Sequence, residues 1–403
     1  IQYKYIFIKF NYLKKIMRRK QLMSYQKKKF KDTKAITLIA LVITIIVLLI
    51  LAGVAIAALS GDNGILTRAS DSAKNTEESN EKELRRLTAM EAATHFEEYE
   101  YIDDSSGKKV VIPAECAVSQ VKGENTLKDG LVIIDSNGNE WVWIEVPNTI
   151  YLTANNSTDY LNIEKDMQVY ASAYANKEKY SDIWISEEQC GFESENEYIN
   201  LKNKMLENVY SRGGFYIGRY EIGSFDEPVK ANDISRKPVI QKGAYPYNYI
   251  TCKQAQQLSN NLKPSNKGDF TSSLMFGIQW DLVCKFLEEK TNMSESEINS
   301  NSYSWGNYTN SQITGLTGKY AQYDDNNILG DWNVIPQNFV KPAKSILFTT
   351  GASQYMKKMN IYDFAGNVYE YTLSSGIKSS EYICVGRGGF FGVTTIVPAS
   401  RIW

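Results

Sequence analysis

The chain has 403 residues, with 45 Lys and Arg, 46 Asp and Glu and a single histidine. The near-zero net charge hides a gradient, since residues 1–35 carry +11 and the rest −12, and an acidic C-terminal part argues against nucleic acid as its partner. The one histidine, His95, falls early in the acidic part, so a Ser or Thr hydrolase lacks its base in the remainder.

The N-terminal stretch is lysine-rich, and Met23 opens a compact leader, so that 1–22 reads either as part of the chain or as upstream reading frame. Residues 36–59 then hold no charge, amide or proline, and sixteen of the twenty-four are Leu, Ile or Val. As a helix they span about 36 Å, against a hydrocarbon core of roughly 30 Å. This predicts one transmembrane helix over 36–61, with the leader 1–35 cytoplasmic and the acidic part outside the cell. The junction Lys34-Ala35-Ile36-Thr37-Leu38-Ile39-Ala40-Leu41 resembles the processing site of type IV prepilins, which implies a cut between Ala35 and Ile36. That family carries Gly before the cut and Glu where Ala40 stands. The missing carboxylate favours a simple membrane anchor over a pilus subunit, the alternative, because a buried carboxylate helps assembly only in low dielectric.

Residues 62–104 are highly charged with apolar positions at helical spacing, which predicts a solvated helical stalk ended by Asp103-Asp104-Ser105-Ser106-Gly107. The domain proper is expected over 105–403. Two β-branched and aromatic runs around Asp135-Ser136-Asn137-Gly138 read as a hairpin, and 148–192 reads as a surface insertion. A helix is predicted from Glu195 to Ser211, stopped by Gly213-Gly214, and a strand from Phe215 to Ile222. Thr251 is placed to cap a short helix, 277–290 shows apolar residues at helical spacing, and 292–322 reads as long loop.

Near the C-terminus stand Asp363-Phe364-Ala365-Gly366-Asn367-Val368-Tyr369-Glu370-Tyr371-Thr372 and Arg387-Gly388-Gly389-Phe390. They resemble the signatures of the formylglycine-generating enzyme (sulfatase-modifying factor) family. Trp141-Val142-Trp143-Ile144, the 214–221 segment and Trp280 match earlier landmarks in order. The resemblance implies an α+β, C-type-lectin-like ectodomain behind the transmembrane and stalk helix. The family's oxidases hold copper on a cysteine pair after the R-G-G element, but no cysteine lies between Gly389 and Arg401. The chain is therefore expected to be a non-catalytic, ligand-binding protein of the cell surface, with the oxidase as a further alternative. The family usually continues to a closing strand, whereas this sequence stops at Ile402-Trp403.

The resemblance implies a calcium ion held by Asp363, the carbonyls of Gly366 and Val368, and Glu370, a donor set suited to a hard cation. The alternative is that the two acids satisfy loop N–H groups. No copper, haem or nucleotide is expected. Relatives rewritten by diversity-generating retroelements display their C-terminal segment, which implies contacts with an extracellular protein or glycan at Tyr303, Trp305, Tyr308, Tyr382, Arg387, Phe390, Phe391, Thr394 and Thr395. Aromatic area among small polar groups suits such a face, while core packing of the same aromatics is the alternative. The five cysteines make no C-x-x-C; Cys252 and Cys284 fall on apolar helix faces and are expected as buried free thiols, with a disulfide open as the other reading.

Overall fold

The computed structural model describes residues 14–24, 41–54, 56, 65–175, 180–226, 233–262, 271–299, 302–324, 328–378 and 381–393. The chain divides into two compact units, Ile1–Asn80 and Glu81–Trp403. In the first, 14–24 and 41–54 are helical and exposed.

The expected single-pass topology is overturned. No helix among the described residues is long and apolar enough to cross a membrane. The described helical run 41–54 is about 21 Å long at 1.5 Å per residue, well short of a hydrocarbon core. The rest of the predicted span lies largely outside the described residues, as do the processing positions Ala35 and Ile36. The expected fold class is corrected with it. In place of a lectin-like ectodomain behind a transmembrane stalk, the described residues form a mixture of helices and six small sheets of two to four strands.

The largest sheet joins β1 (Cys116–Val118), β2 (Val132–Asp135), β3 (Glu140–Glu145) and β4 (Gly214–Gly218), all antiparallel. The β2–β3 hairpin turns where Asp135-Ser136-Asn137-Gly138 predicts it: the Asp135 carboxylate accepts from the N–H groups of Asn137 and Asn139, both at 2.9 Å. Both faces are covered, so Val132, Val142 and Ile144 enter the main core while Ile133, Trp141 and Trp143 enter a second one.

Besides the short helix Glu295–Asn299, five α-helices lie wholly in the second unit's described residues. They are α1 (Tyr160–Tyr170), α2 (Glu187–Cys190), α3 (Glu195–Arg212), α4 (Cys252–Asn260) and α5 (Gly277–Lys290). The Ser194 side chain caps α3 at its start and left-handed Gly213 ends it, as its sequence dictates. Thr251 and Gln254 form a capping box on α4. The carboxylate of Asp182 accepts from the N–H groups of Gly277 and Ile278 at 2.8 and 3.1 Å, closing the start of α5 from almost a hundred residues away. Residues 148–192 are more than a surface insertion: Ile163, Met167 and Ala171 are fully buried in the main core with Trp280 and Leu287. A long hairpin, β5 (Glu370–Lys378) and β6 (Glu381–Arg387), carries Tyr180–Ser181 as its third strand.

Charge is buried as well as apolar surface. The helix Ile65–Ala92 is not free along its whole length. Arg85 reaches Glu124 at 2.7 Å and Glu140 at 3.0 Å, and Arg219 reaches the same two acids at 2.7 and 2.8 Å. Burial pushes the Glu124 carboxyl up, but Arg85 and Arg219 outweigh it and hold it down at about 2. The Asn360 side chain donates to the carbonyls of Gly123, Asp129 and Gly130 at 2.8, 3.0 and 2.8 Å, tying the start of the domain to its last third.

One cysteine expectation is corrected. Cys252 is not a free thiol but is joined to Cys384 in a disulfide that fastens α4 to β6, while Cys284 is buried and free as expected.

Candidate functional site

The segment from Asp363 to Glu370 leaves a buried strand, Ile361–Tyr362, and turns sharply before β5. Three of its residues take left-handed backbone: Asp363 (φ 60°), Gly366 (φ 78°) and Asn367 (φ 58°). Gly366 is required there, because a Cβ would collide with the Asn307 carbonyl. The two non-glycine residues pay for this conformation with hydrogen bonds. Fully buried Asn367 takes Asn307 Nδ2 and Phe348 N–H on its Oδ1 at 3.0 and 3.1 Å. Its Nδ2 donates to Glu221 Oε2 at 2.6 Å, and its carbonyl accepts the Phe391 N–H at 3.0 Å.

This turn gathers acids. Glu221 Oε1 accepts the Val368 N–H at 2.9 Å, and Asp363 Oδ2 accepts the Gly351 N–H at 2.7 Å, while the buried Asp363 Oδ1 has no hydrogen-bond partner. Burial pushes Asp363 up to about 7. Burial and then the Asp363 charge push Glu370 up to about 8. Glu221 is raised well above the usual carboxylate range by burial and by both neighbours, against the pull of Val368 and Asn367.

Beside the acids lies a cavity of about 1120 Å³, and Glu221 and Glu370 are among its lining. Its aromatic wall is continuous at this end. Tyr323 stacks on Phe391 at 5.0 Å between ring centroids, and Phe390 meets Phe391 edge-on at 5.8 Å and Tyr369 at 6.0 Å. The Tyr249 and Tyr323 hydroxyls are 3.0 Å apart. Tyr369 and Tyr249 are 42% and 40% exposed, whereas Phe391 is 2% exposed.

No family model, curated protein or solved structure matches the chain. The geometry alone therefore sorts the residues expected from the sequence. Phe390 and Phe391 line the cavity. Trp305 and Tyr308 are buried in the main core, Tyr308 donating to the Gly388 carbonyl at 2.9 Å, and Tyr303 is exposed away from the cavity lining. Arg387 is fully buried, with Nη2 at 2.6 Å from Asp281 Oδ1 and its guanidinium 5.8 Å from the Trp280 ring centre. Tyr382 is in β6, its side chain outside the described residues, as are Thr394 and Thr395 altogether.

For the implied calcium ion, Asp363, Gly366, Val368 and Glu370 follow one another along one turn, the Asp363 charge acts on Glu370, and the buried Asp363 Oδ1 has no hydrogen-bond partner. Among the described residues no group of three or more His, Cys, Asp or Glu is arranged to hold a metal ion, but the implied set needs only two carboxylates and two carbonyls. Two carboxylates with carbonyl oxygens are the donor chemistry a hard cation takes, and one held there would supply charge neutralisation rather than reaction chemistry.

Sequence reasoning missed Glu221, Tyr249, Tyr323 and Tyr369. The signal for Glu221 is a charge inside a run predicted as strand, at Arg219-Tyr220-Glu221; the three tyrosines lie outside any periodic pattern.

The raised acids set a pH dependence. In the unfolded chain Asp363 and Glu370 lose their protons near their ordinary values of 3.8 and 4.5, while the fold keeps them until about 7 and 8. Between these limits the native state binds more protons, so stability falls as pH rises, by at most about 1.4 kcal/mol per unit for each group. Melting temperature in chelator is expected to drop from pH 4.5 to 8, and Asp363→Asn with Glu370→Gln to flatten that drop. An unchanged slope in the double variant would remove the assignment.

Proposed function

We propose that this chain is a non-catalytic ligand-binding protein whose site is the aromatic cavity beside the Asp363–Glu370 turn. The observation that carries this reading is the cavity itself: about 1120 Å³, walled at one end by a connected set of aromatic rings with Glu221 and Glu370 beside them. The resemblance to the formylglycine-generating family supports the placement, because the same turn carries the signature residues. A non-catalytic role is supported by Cys384, the cysteine nearest Arg387 in sequence, being tied up with Cys252, and by burial pushing the free Cys284 thiol up, away from the thiolate form.

The test is a thermal-shift screen of the full chain against glycans, amines and short peptides, followed by titration of the hits. Phe390→Ala and Tyr369→Ala should leave the melting temperature nearly unchanged and weaken binding by about 2 kcal/mol each if both are anchors. Phe391→Ala should cost about 3 kcal/mol or more in stability, since its ring is core. Hits that bind both the Phe390 and the Tyr369 variants as tightly as the parent would place the site elsewhere.

A further inference from the structure

Lys341 is fully buried, a rare place for a lysine. Its Nζ donates to four backbone carbonyls, those of Tyr308, Thr309, Ser311 and Pro342, at 2.7, 3.3, 3.2 and 3.3 Å. Burial pulls the group down to about 8, which still leaves it charged at pH 7. An ammonium has three protons, so the four carbonyls share them, and their combined dipoles stabilise the charge. Oxygens at these distances suit an ammonium, whereas calcium draws its oxygens in to about 2.3–2.6 Å. A neutral side chain at this position would take a donor away from all four. The caged turn also holds the aromatic wall of the cavity. Tyr308 Oη donates to the Gly388 carbonyl at 2.9 Å, Thr309 Oγ1 to the Phe391 carbonyl at 2.9 Å, and the Thr309 N–H to the Val393 carbonyl at 3.0 Å. These anchors bracket Phe390 and Phe391, both of which line the cavity.

We propose that the four carbonyls form a site for a primary ammonium, which Lys341 fills with its own side chain, and that the filled site sets the position of Phe390 and Phe391. Lys341 is then a positioning residue, acting on the wall through the 308–311 turn. The cage stands whatever the cavity holds; that the wall so positioned serves a ligand rests on the function proposed above.

Lys341→Ala deletes three methylenes and the ammonium, which together are n-propylammonium. Amide hydrogen exchange of the full chain is followed at pH 7, in parent and variant, with n-propylammonium chloride, the neutral propan-1-ol or sodium chloride at equal concentration. Exchange in the segment 388–393 should become at least about 10-fold faster in Lys341→Ala, while the strand 116–118 keeps its protection. The amine should restore the parent rate; propan-1-ol and sodium chloride should not. Lys341→Met refills the space without the charge, so it should show the faster exchange and no response to the amine. Thr309→Val keeps the cage and cuts one anchor, and should loosen 388–393 with no response to the amine either. Equal rescue by propan-1-ol, or rescue by neither probe, would overturn the ammonium site. Unchanged protection of 388–393 in both Lys341→Ala and Lys341→Met would overturn the positioning claim. Neither result touches the cavity as a binding site, which the Phe390 and Tyr369 variants decide.

Discussion

Replacing Cys252 and Cys384 together by serine is expected to lower the stability of the domain by about 5 kcal/mol. The bridge closes a loop of 132 residues, and the entropy withheld from the unfolded chain by a loop of that length corresponds to about 5 kcal/mol near room temperature. Serine keeps the local geometry, and the cap of α4 is unaffected because Thr251 and Gln254 form it. The measurement is the free energy of unfolding in denaturant, for the parent with and without reductant and for the double variant. Reduced parent and double variant should coincide. A loss below about 1 kcal/mol would mean that the unfolded chain already keeps α4 and β6 together.

Arg387→Met is the second large effect, at about 3–5 kcal/mol of stability. The guanidinium is fully buried against Asp281, itself 1% exposed, so the substitution strands a carboxylate in the core. Removing the acid as well, in Arg387→Met with Asp281→Leu, should recover at least about 2 kcal/mol, because the two apolar side chains then replace the pair. Denaturant midpoints of the two single variants and the double one close the cycle. The experiment also decides a role: a residue that contacts ligand directly would show its loss in affinity while the fold held, and the burial of Arg387 puts the loss in the fold.

What the sequence made readable was local. The Asp135-Ser136-Asn137-Gly138 turn, the cap at Thr251 and the glycine stop at Gly213 each carry their signal within a few residues, and each stands where it was expected. The aromatic pair Phe390 and Phe391 was legible as a candidate because it follows the Arg387-Gly388-Gly389 element. What could not be read was pairing across the chain. Nothing near Cys252 announces Cys384, and nothing near Arg85 announces Glu124 and Glu140. Glu221 was hidden because its partner groups, Asn367 and Val368, come nearly 150 residues later. The apolar run at 36–59 misled for the opposite reason. A composition long enough to span a bilayer predicts a helix of that length, and among the described residues none of the required length and apolarity forms.

The three bonds from Asn360 to the carbonyls of Gly123, Asp129 and Gly130 have a consequence during synthesis. The loop between β1 and β2 cannot close its last polar contacts until some 230 further residues have left the ribosome. At about 5–20 residues per second that delay is on the order of 10 to 50 seconds. For that interval the carbonyls of Gly123, Asp129 and Gly130 have water as their partner in the nascent chain. That loop is therefore expected to reach its final form after the last third of the chain has been made, later than the sheet it precedes.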